Sequence, residues 1–172
     1  MKRAFSVFAA LLLLLAAGCE KKSISKDAPP PVPASFTANI KAVYGDTEMT
    51  ALFTQKSADS FEIQMLSPEI LKPLALYYAS DICTVTYDGL KFETDLTRFP
   101  QTAFGALLTQ SLTDTAQGID VQKTYADGIW TYTGTGERGV FVLTQDAETG
   151  AWLGLEIEGA PLYVEFSDFI IN

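Results

Sequence analysis

The sequence predicts a mainly β domain of the α+β class, built from antiparallel strands with one or two helical segments. Three observations carry this. Apolar and polar residues alternate with period two through most of residues 35–172, the signature of half-buried strands. Tight-turn pairs, Gly45-Asp46 and Asp88-Gly89, fall between alternating runs and mark hairpins. One stretch, Phe99 to Leu112, shows helical spacing instead. The pattern reads as about nine or ten strands and two helical segments.

The chain opens on an address. Lys2 and Arg3 precede an apolar run from Ala4 to Ala17 that includes Leu11 to Leu15. A bilayer span needs about 20 apolar residues, so this shorter run fits the core of a secretory signal peptide over 1–18. It ends Leu15-Ala16-Ala17-Gly18-Cys19, which resembles the lipobox of bacterial lipoproteins. Ala16 stands where that pattern favours leucine, with Leu15 one place earlier. The resemblance implies that the Cys19 thiol receives a diacylglyceryl group and becomes the first residue of the mature chain. The plainer alternative is an ordinary signal peptide followed by an incidental cysteine. Two acyl chains hold a protein stably where one holds it weakly, at about 0.8 kcal/mol per buried CH₂. The lipid would therefore tether the protein to a membrane without spanning it. The expected location is extracytoplasmic, on the cell membrane or on an outer membrane if the host has one.

Residues 19–34 form the lipidated Cys and a Pro-rich tether. Pro29, Pro30, Pro31 and Pro33 favour extended polyproline II, and the 15 residues after Cys19 would reach roughly 45 Å at about 3.1 Å per residue. The segment reads as a solvated spacer.

The domain occupies 35–172. Phe36, Ala38, Ile40 and Ala42 share one face of the first strand. Across a two-residue Gly45-Asp46 loop Ala42 would face Met49, Ile40 would face Ala51 and Ala38 would face Phe53. Phe61, Ile63 and Met65 mark a third strand. Ser67-Pro68-Glu69 reads as a helix start, with Ser as N-cap and Pro first, shortened by Pro73. Leu74, Leu76 and Tyr78 share one side of the next strand. Asp88-Gly89 predicts a hairpin pairing Tyr87 with Leu90, Val85 with Phe92 and Thr84 with Glu93, one face apolar and the other polar. Cys83 falls on the apolar face, as a buried free thiol. Phe104, Leu107, Leu108 and Leu112 form the helix stripe. Beyond a polar stretch, Ile129–Thr133 leads to a Gly134-Thr135-Gly136 turn and Gly139–Gln145 returns. Asp146–Gly150 is a turn, Leu153, Leu155 and Ile157 share a face, and so do Leu162, Val164 and Phe166.

Composition narrows the function. With no His among 172 residues, Ser-His-Asp and Cys-His units are excluded. Two Cys make neither a metal framework nor a disulfide scaffold. The net charge is -9 for the whole chain and -12 over 35–172, which argues against nucleic acid. Asp81, Asp88, Glu93 and Asp95 cluster in sequence and could pair for glycoside chemistry if held about 5–10 Å apart. Turn and surface positions explain them more simply. Asp146 to Gly150 lacks the ligand count of a calcium loop. No catalytic residue, metal site or cofactor is expected, and the chain reads as a non-enzyme.

The lipobox, Pro-rich tether, paired opening strands Phe36–Phe53, the segment Ser67-Pro68-Glu69-Ile70-Leu71, the central helix and the ending Val164-Glu165-Phe166-Ser167-Asp168-Phe169 together resemble the LolA/LolB-like lipoprotein family. The resemblance covers most of 35–172 and is one of layout. It implies a strongly curved antiparallel sheet forming a half-open barrel covered by one or two helices. It also implies binding of a lipid or other apolar ligand on the concave side. The ligand-binding candidates are Phe36, Ile40, Phe53, Ile63, Met65, Val85 and Phe92 on the sheet, with Phe104, Leu107 and Leu108 on the helix. The alternative is an envelope protein-interaction module of the same fold, with a filled core and an acidic partner-binding surface. The partners implied are thus a membrane through the N-terminal lipid, and an apolar ligand or an envelope protein.

Overall fold

The computed structural model describes residues 28–98, 103–118, 120–136 and 139–172. The signal peptide and Cys19 lie outside these residues. Among the described residues eleven strands form one antiparallel, unclosed sheet, a curved half-barrel with one α-helix. The strands are β1 (Phe36–Tyr44), β2 (Thr47–Ser57), β3 (Ser60–Ser67), β4 (Leu74–Ala79), β5 (Ile82–Tyr87) and β6 (Leu90–Asp95). After helix α1 (Phe104–Gln117) come β7 (Gln122–Ala126), β8 (Ile129–Gly136), β9 (Gly139–Asp146), β10 (Trp152–Ile157) and β11 (Leu162–Ile171). The sheet order is β6-β5-β4-β3-β2-β1-β11-β10-β9-β8-β7. Two meanders therefore meet where the first and last strands pair, and the free edges are β6 and β7.

Local chemistry sets the register. Gly45 has φ +60°, and the two-residue loop pairs Ala42 with Met49, Ile40 with Ala51 and Ala38 with Phe53. Asp88 and Gly89 both have positive φ, as a type I′ turn requires. They pair Tyr87 with Leu90, Val85 with Phe92 and Thr84 with Glu93. Both expected hairpins are present in the expected register.

The core fills the concave side beneath α1. Phe36, Phe53 and Phe61 make an aromatic chain, with ring centroids 5.5 and 5.9 Å apart. Phe169 stacks on Phe36 at 4.5 Å, and Phe166 meets Phe53 edge-on at 6.4 Å. Residues three apart on a strand ordinarily face opposite ways. A bulge resolves this: the β1–β11 register shifts between Thr37 and Asn39, and Asp168 takes φ +49°. That extra residue turns both phenylalanines inward, and Asn39 Nδ2 donates to Asp168 Oδ2 at 2.8 Å.

Helix α1 runs past Leu112, where the apolar stripe ends. Thr109, Ser111, Thr113 and Thr115 each donate a hydroxyl to the carbonyl four residues back, at 2.8–3.0 Å. Their polar groups are thereby satisfied within the helix, and three of them are buried. Gly118, at φ +68°, closes the helix with bonds to the Asp114 and Thr115 carbonyls, a left-handed glycine cap. The helix approaches the sheet closely at Gly105, where a Cβ would overlap the Tyr78 hydroxyl. The predicted start at Phe99 lies outside the described residues.

Four expectations need correction. Ser67 does not cap a helix: its hydroxyl bonds Thr50 instead, and only a 3-10 turn, Glu69–Leu71, follows Pro68. Gly134, Thr135 and Gly136 belong to β8 and pair with Phe141, Val140 and Gly139; the connection lies at 137–138, outside the described residues. Leu153 faces outward and Trp152 inward, because a register shift between Trp152 and Gly154 inverts the alternation. The spacer is also partly docked. Pro33 is buried, Val32 packs against the core, and Gln55 Nε2 donates to the Ala34 carbonyl at 3.5 Å. Pro30 lies beside Gly150. Val32 and Pro33 add apolar cover to the concave face, and proline loses little entropy on docking.

Candidate functional site: the open wing of the half-barrel

The expected ligand-lining residues separate into three groups. Phe36, Ile40, Phe53, Ile63, Met65, Phe104 and Leu108 are packed interior residues. Leu107 is buried and also borders a half-open cleft of about 410 Å³ between α1 and the β8–β10 side. That cleft mixes Leu107, Phe141 and Ile157 with Gln110, Ser111, Asp114 and Thr135. A second cleft, of about 300 Å³, lies on the other flank of α1 and includes Tyr78, Asp81, Thr109 and Gln110. Val85 is half-buried, and Phe92 is exposed.

The last two residues belong to a gradient. Paired residues on one face of the sheet form the row Ala38, Phe53, Ile63, Leu76, Val85, Phe92. The first three are fully buried, Leu76 is 9% exposed, and Phe92 is 61% exposed. The core thus runs out onto an open wing, β5–β6, that α1 does not cover. Leu90, on the same face, is 74% exposed, and Tyr87 and Ile70 are exposed beside it. Tyr87 donates its hydroxyl to the Ile70 carbonyl at 3.1 Å, which fixes the 3-10 turn against the hairpin. Scattered surface leucines are ordinary, whereas a contiguous apolar patch marks an interaction surface.

On the wing's other face Lys91 Nζ lies 2.6 Å from Glu93 Oε1. The hydrogen bond and charge of Lys91 hold the Glu93 carboxyl below its ordinary pKa. Asp95 Oδ1 accepts from the Thr97 hydroxyl and N–H, which lower its pKa likewise. Asp88 is a turn residue. The Glu93 and Asp95 carboxyls are therefore held ionised and structurally occupied, the reverse of a raised-pKa general acid. Asp146 accepts from the Thr149 N–H and hydroxyl and from the Glu148 N–H, closing the β9–β10 turn and keeping its carboxyl acidic. Among the described residues no group of three or more Asp, Glu, Cys or His could hold a metal ion.

Cys83 is fully buried, as expected. Burial pushes its thiol pKa up, which suppresses the nucleophilic thiolate. Tyr78, its hydrogen-bond partner, is raised by the same desolvation. Tyr132 is pushed up to about 12 by burial and donates to Gln145 Oε1 at 2.5 Å. Gln145 in turn donates to the Gly150 carbonyl at 2.8 Å. These groups are structural.

Sequence reasoning identified Phe92 but placed it in a lining. It passed over Ile70, Tyr87 and Leu90 as surface anchors. The deciding feature is topological: among the described residues no later strand pairs with β6.

Comparison with known proteins supports the fold. No protein-family model matches the sequence, and no curated protein does. Among solved structures, the chain is similar to an uncharacterized conserved protein from Thermus thermophilus, at 10% identity over 82% of this chain and 80% of that one, with a TM-score of 0.55. It is also similar to a chain in the structure of the CwlD amidase from Clostridioides difficile in complex with the GerS lipoprotein. There the identity is 17% over 97% of this chain and 95% of that one, with a TM-score of 0.55. The similar structures include a LolA superfamily protein, NE2245 from Nitrosomonas europaea, at 12% identity, 90% and 94% coverage and a TM-score of 0.44. At these identities the likeness is one of fold.

Proposed function

We propose that the protein is a non-enzymatic cell-envelope lipoprotein, acylated on Cys19 and held on the outer side of a membrane, that acts by docking a protein partner on the β5–β6 wing. One observation carries the reading. Seven of the ten residues expected to line a ligand cavity are packed core, while Leu90 and Phe92 on the edge strand are among the most exposed large apolar side chains of the described residues. An edge strand with exposed Leu90 and Phe92 offers unpaired backbone groups to a partner strand and apolar side chains to set its register. The similarity to a chain of an amidase–lipoprotein complex supports a protein-docking role for this fold. Lys91, Lys56, Lys72 and Lys41 each sit in an ion pair with a glutamate.

The test is chemical crosslinking in intact envelopes. A Leu90→Asp/Phe92→Asp variant keeps its melting temperature, because both residues are exposed, and loses the crosslinked complex seen with the native chain. A complex that survives both substitutions would refute the wing as the docking surface.

A further inference from the structure

The backbone of β6 has a defined polarity. In a two-residue hairpin the flanking pair, here Tyr87–Leu90, is hydrogen-bonded, and such pairs alternate along the ladder. Leu90, Phe92 and Thr94 therefore turn their N–H and C=O groups toward β5. Lys91, Glu93 and Asp95 turn theirs to the free edge. A strand added there must place its hydrogen-bonded pairs at these odd-numbered residues.

This requirement selects a register for a second copy of the same strand. Antiparallel self-pairing about a twofold axis puts residue i opposite a fixed complement. Centred on Lys91 it sets lysine against lysine, and centred on Glu93 it sets glutamate against glutamate. Centred on Phe92, both hydrogen-bonded pairs are Lys91 opposite Glu93. The two Phe92 side chains then meet across a non-hydrogen-bonded position, where side chains approach most closely. The apolar row from Ala38 through Val85 to Phe92 would continue through the axis into the second copy. The other edge strand, β7, reads Gln122-Lys123-Thr124-Tyr125-Ala126, with no such palindrome of charge to select a self-pairing register.

We propose that two copies of the chain join edge to edge through β6, in a twofold antiparallel register centred on Phe92. The inference rests on the open wing being the docking surface, and it names the partner as a second copy. A six-residue strand buries little area, which fits a weak dimer in solution. Confinement of both copies to one membrane by their tethers raises the effective concentration and favours pairing there.

The test is disulfide trapping of the lipidated full-length chain in vesicles. Across a non-hydrogen-bonded pair the Cα atoms lie about 4.5 Å apart, within disulfide range. Phe92→Cys links into a dimer on mild oxidation, whereas Leu90→Cys, whose opposite residue is Thr94, does not. The native chain stays unlinked, since Cys83 is buried. In the Phe92→Cys background, Lys91→Glu alone or Glu93→Lys alone places like charges at both symmetry-related contacts and slows linking about tenfold. The double exchange restores it. Absence of linkage, equal linkage by Leu90→Cys, or no rescue by the double exchange would overturn the proposal. If linkage fails while Leu90→Asp/Phe92→Asp still abolishes the envelope complex, the wing docks a different protein and the broader reading stands. If both fail, neither stands.

Discussion

Replacing Leu108 by alanine deletes three carbons from the middle of α1, where the side chain is fully buried between helix and sheet. Their transfer to water costs about 2–2.5 kcal/mol. A packed interior leaves a void that adds to this, so a total of about 3–4 kcal/mol is expected, within the usual range of about 2–5 for Leu→Ala. For a domain of this size that lowers Tm by roughly 10–15 °C. Phe92→Ala, at 61% exposure, should change stability by no more than about 0.5 kcal/mol. Urea unfolding at matched slopes measures both. The contrast matters because a helix roofing a hollow ligand chamber would leave Leu108 with few packing partners to lose. A loss below about 1.5 kcal/mol for Leu108→Ala would refute the filled interior, and with it the preference for docking over apolar-ligand binding.

Further predictions follow from close approaches and charge. Gly105→Ala forces the Tyr78 hydroxyl aside and should cost about 1–3 kcal/mol of overpacking, offset in part by alanine's higher helix propensity. A gain in Tm would contradict that contact. Gly139→Ala meets the Glu158 carbonyl at a φ of +128°, so the variant should unfold at least about 2 kcal/mol more easily. Asp146→Ala removes three hydrogen bonds from the β9–β10 turn. Because the Asp146 carboxyl is more acidic in the folded state, its stabilisation is present above the ordinary carboxylate pKa. It is lost as pH falls through the lowered folded value. The variant's acid-side decline in stability should therefore be shallower than the native one. Cys19→Ala should move the protein from the membrane fraction to the soluble extracytoplasmic fraction and abolish labelling by a fatty-acid analogue.

Most of the fold was legible because alternation and tight turns act locally. Gly45-Asp46 and Asp88-Gly89 determined two hairpins to the residue, and the sets Leu74/Leu76/Tyr78 and Leu162/Val164/Phe166 face inward as their spacing requires. The misses have a common cause. Bulges at Trp152 and Asp168 change the phase of a strand without any turn residue to announce them, so Leu153 was assigned inward. The helix extends beyond Leu112 to Gln117 through polar residues whose hydroxyls are satisfied by bonds back along it, which an apolar stripe does not reveal. The docked Val32 and Pro33 depend on a concave face assembled from distant strands. The candidate site was hardest to read. Leu90 and Phe92 have the same pattern as buried strand residues, and only the position of β6 at the end of the sheet order exposes them.

Native mass spectrometry of the lipoprotein, released from its membrane by mild detergent, tests the central claim most directly. A docking module with a filled interior should appear at the mass of the acylated polypeptide, alone or assembled with protein, and carry no further lipid. The Leu90→Asp/Phe92→Asp variant should appear only as the single acylated chain. One non-covalently held lipid per polypeptide, retained by that variant, would contradict the account and return the half-barrel to the role of an apolar-ligand binder.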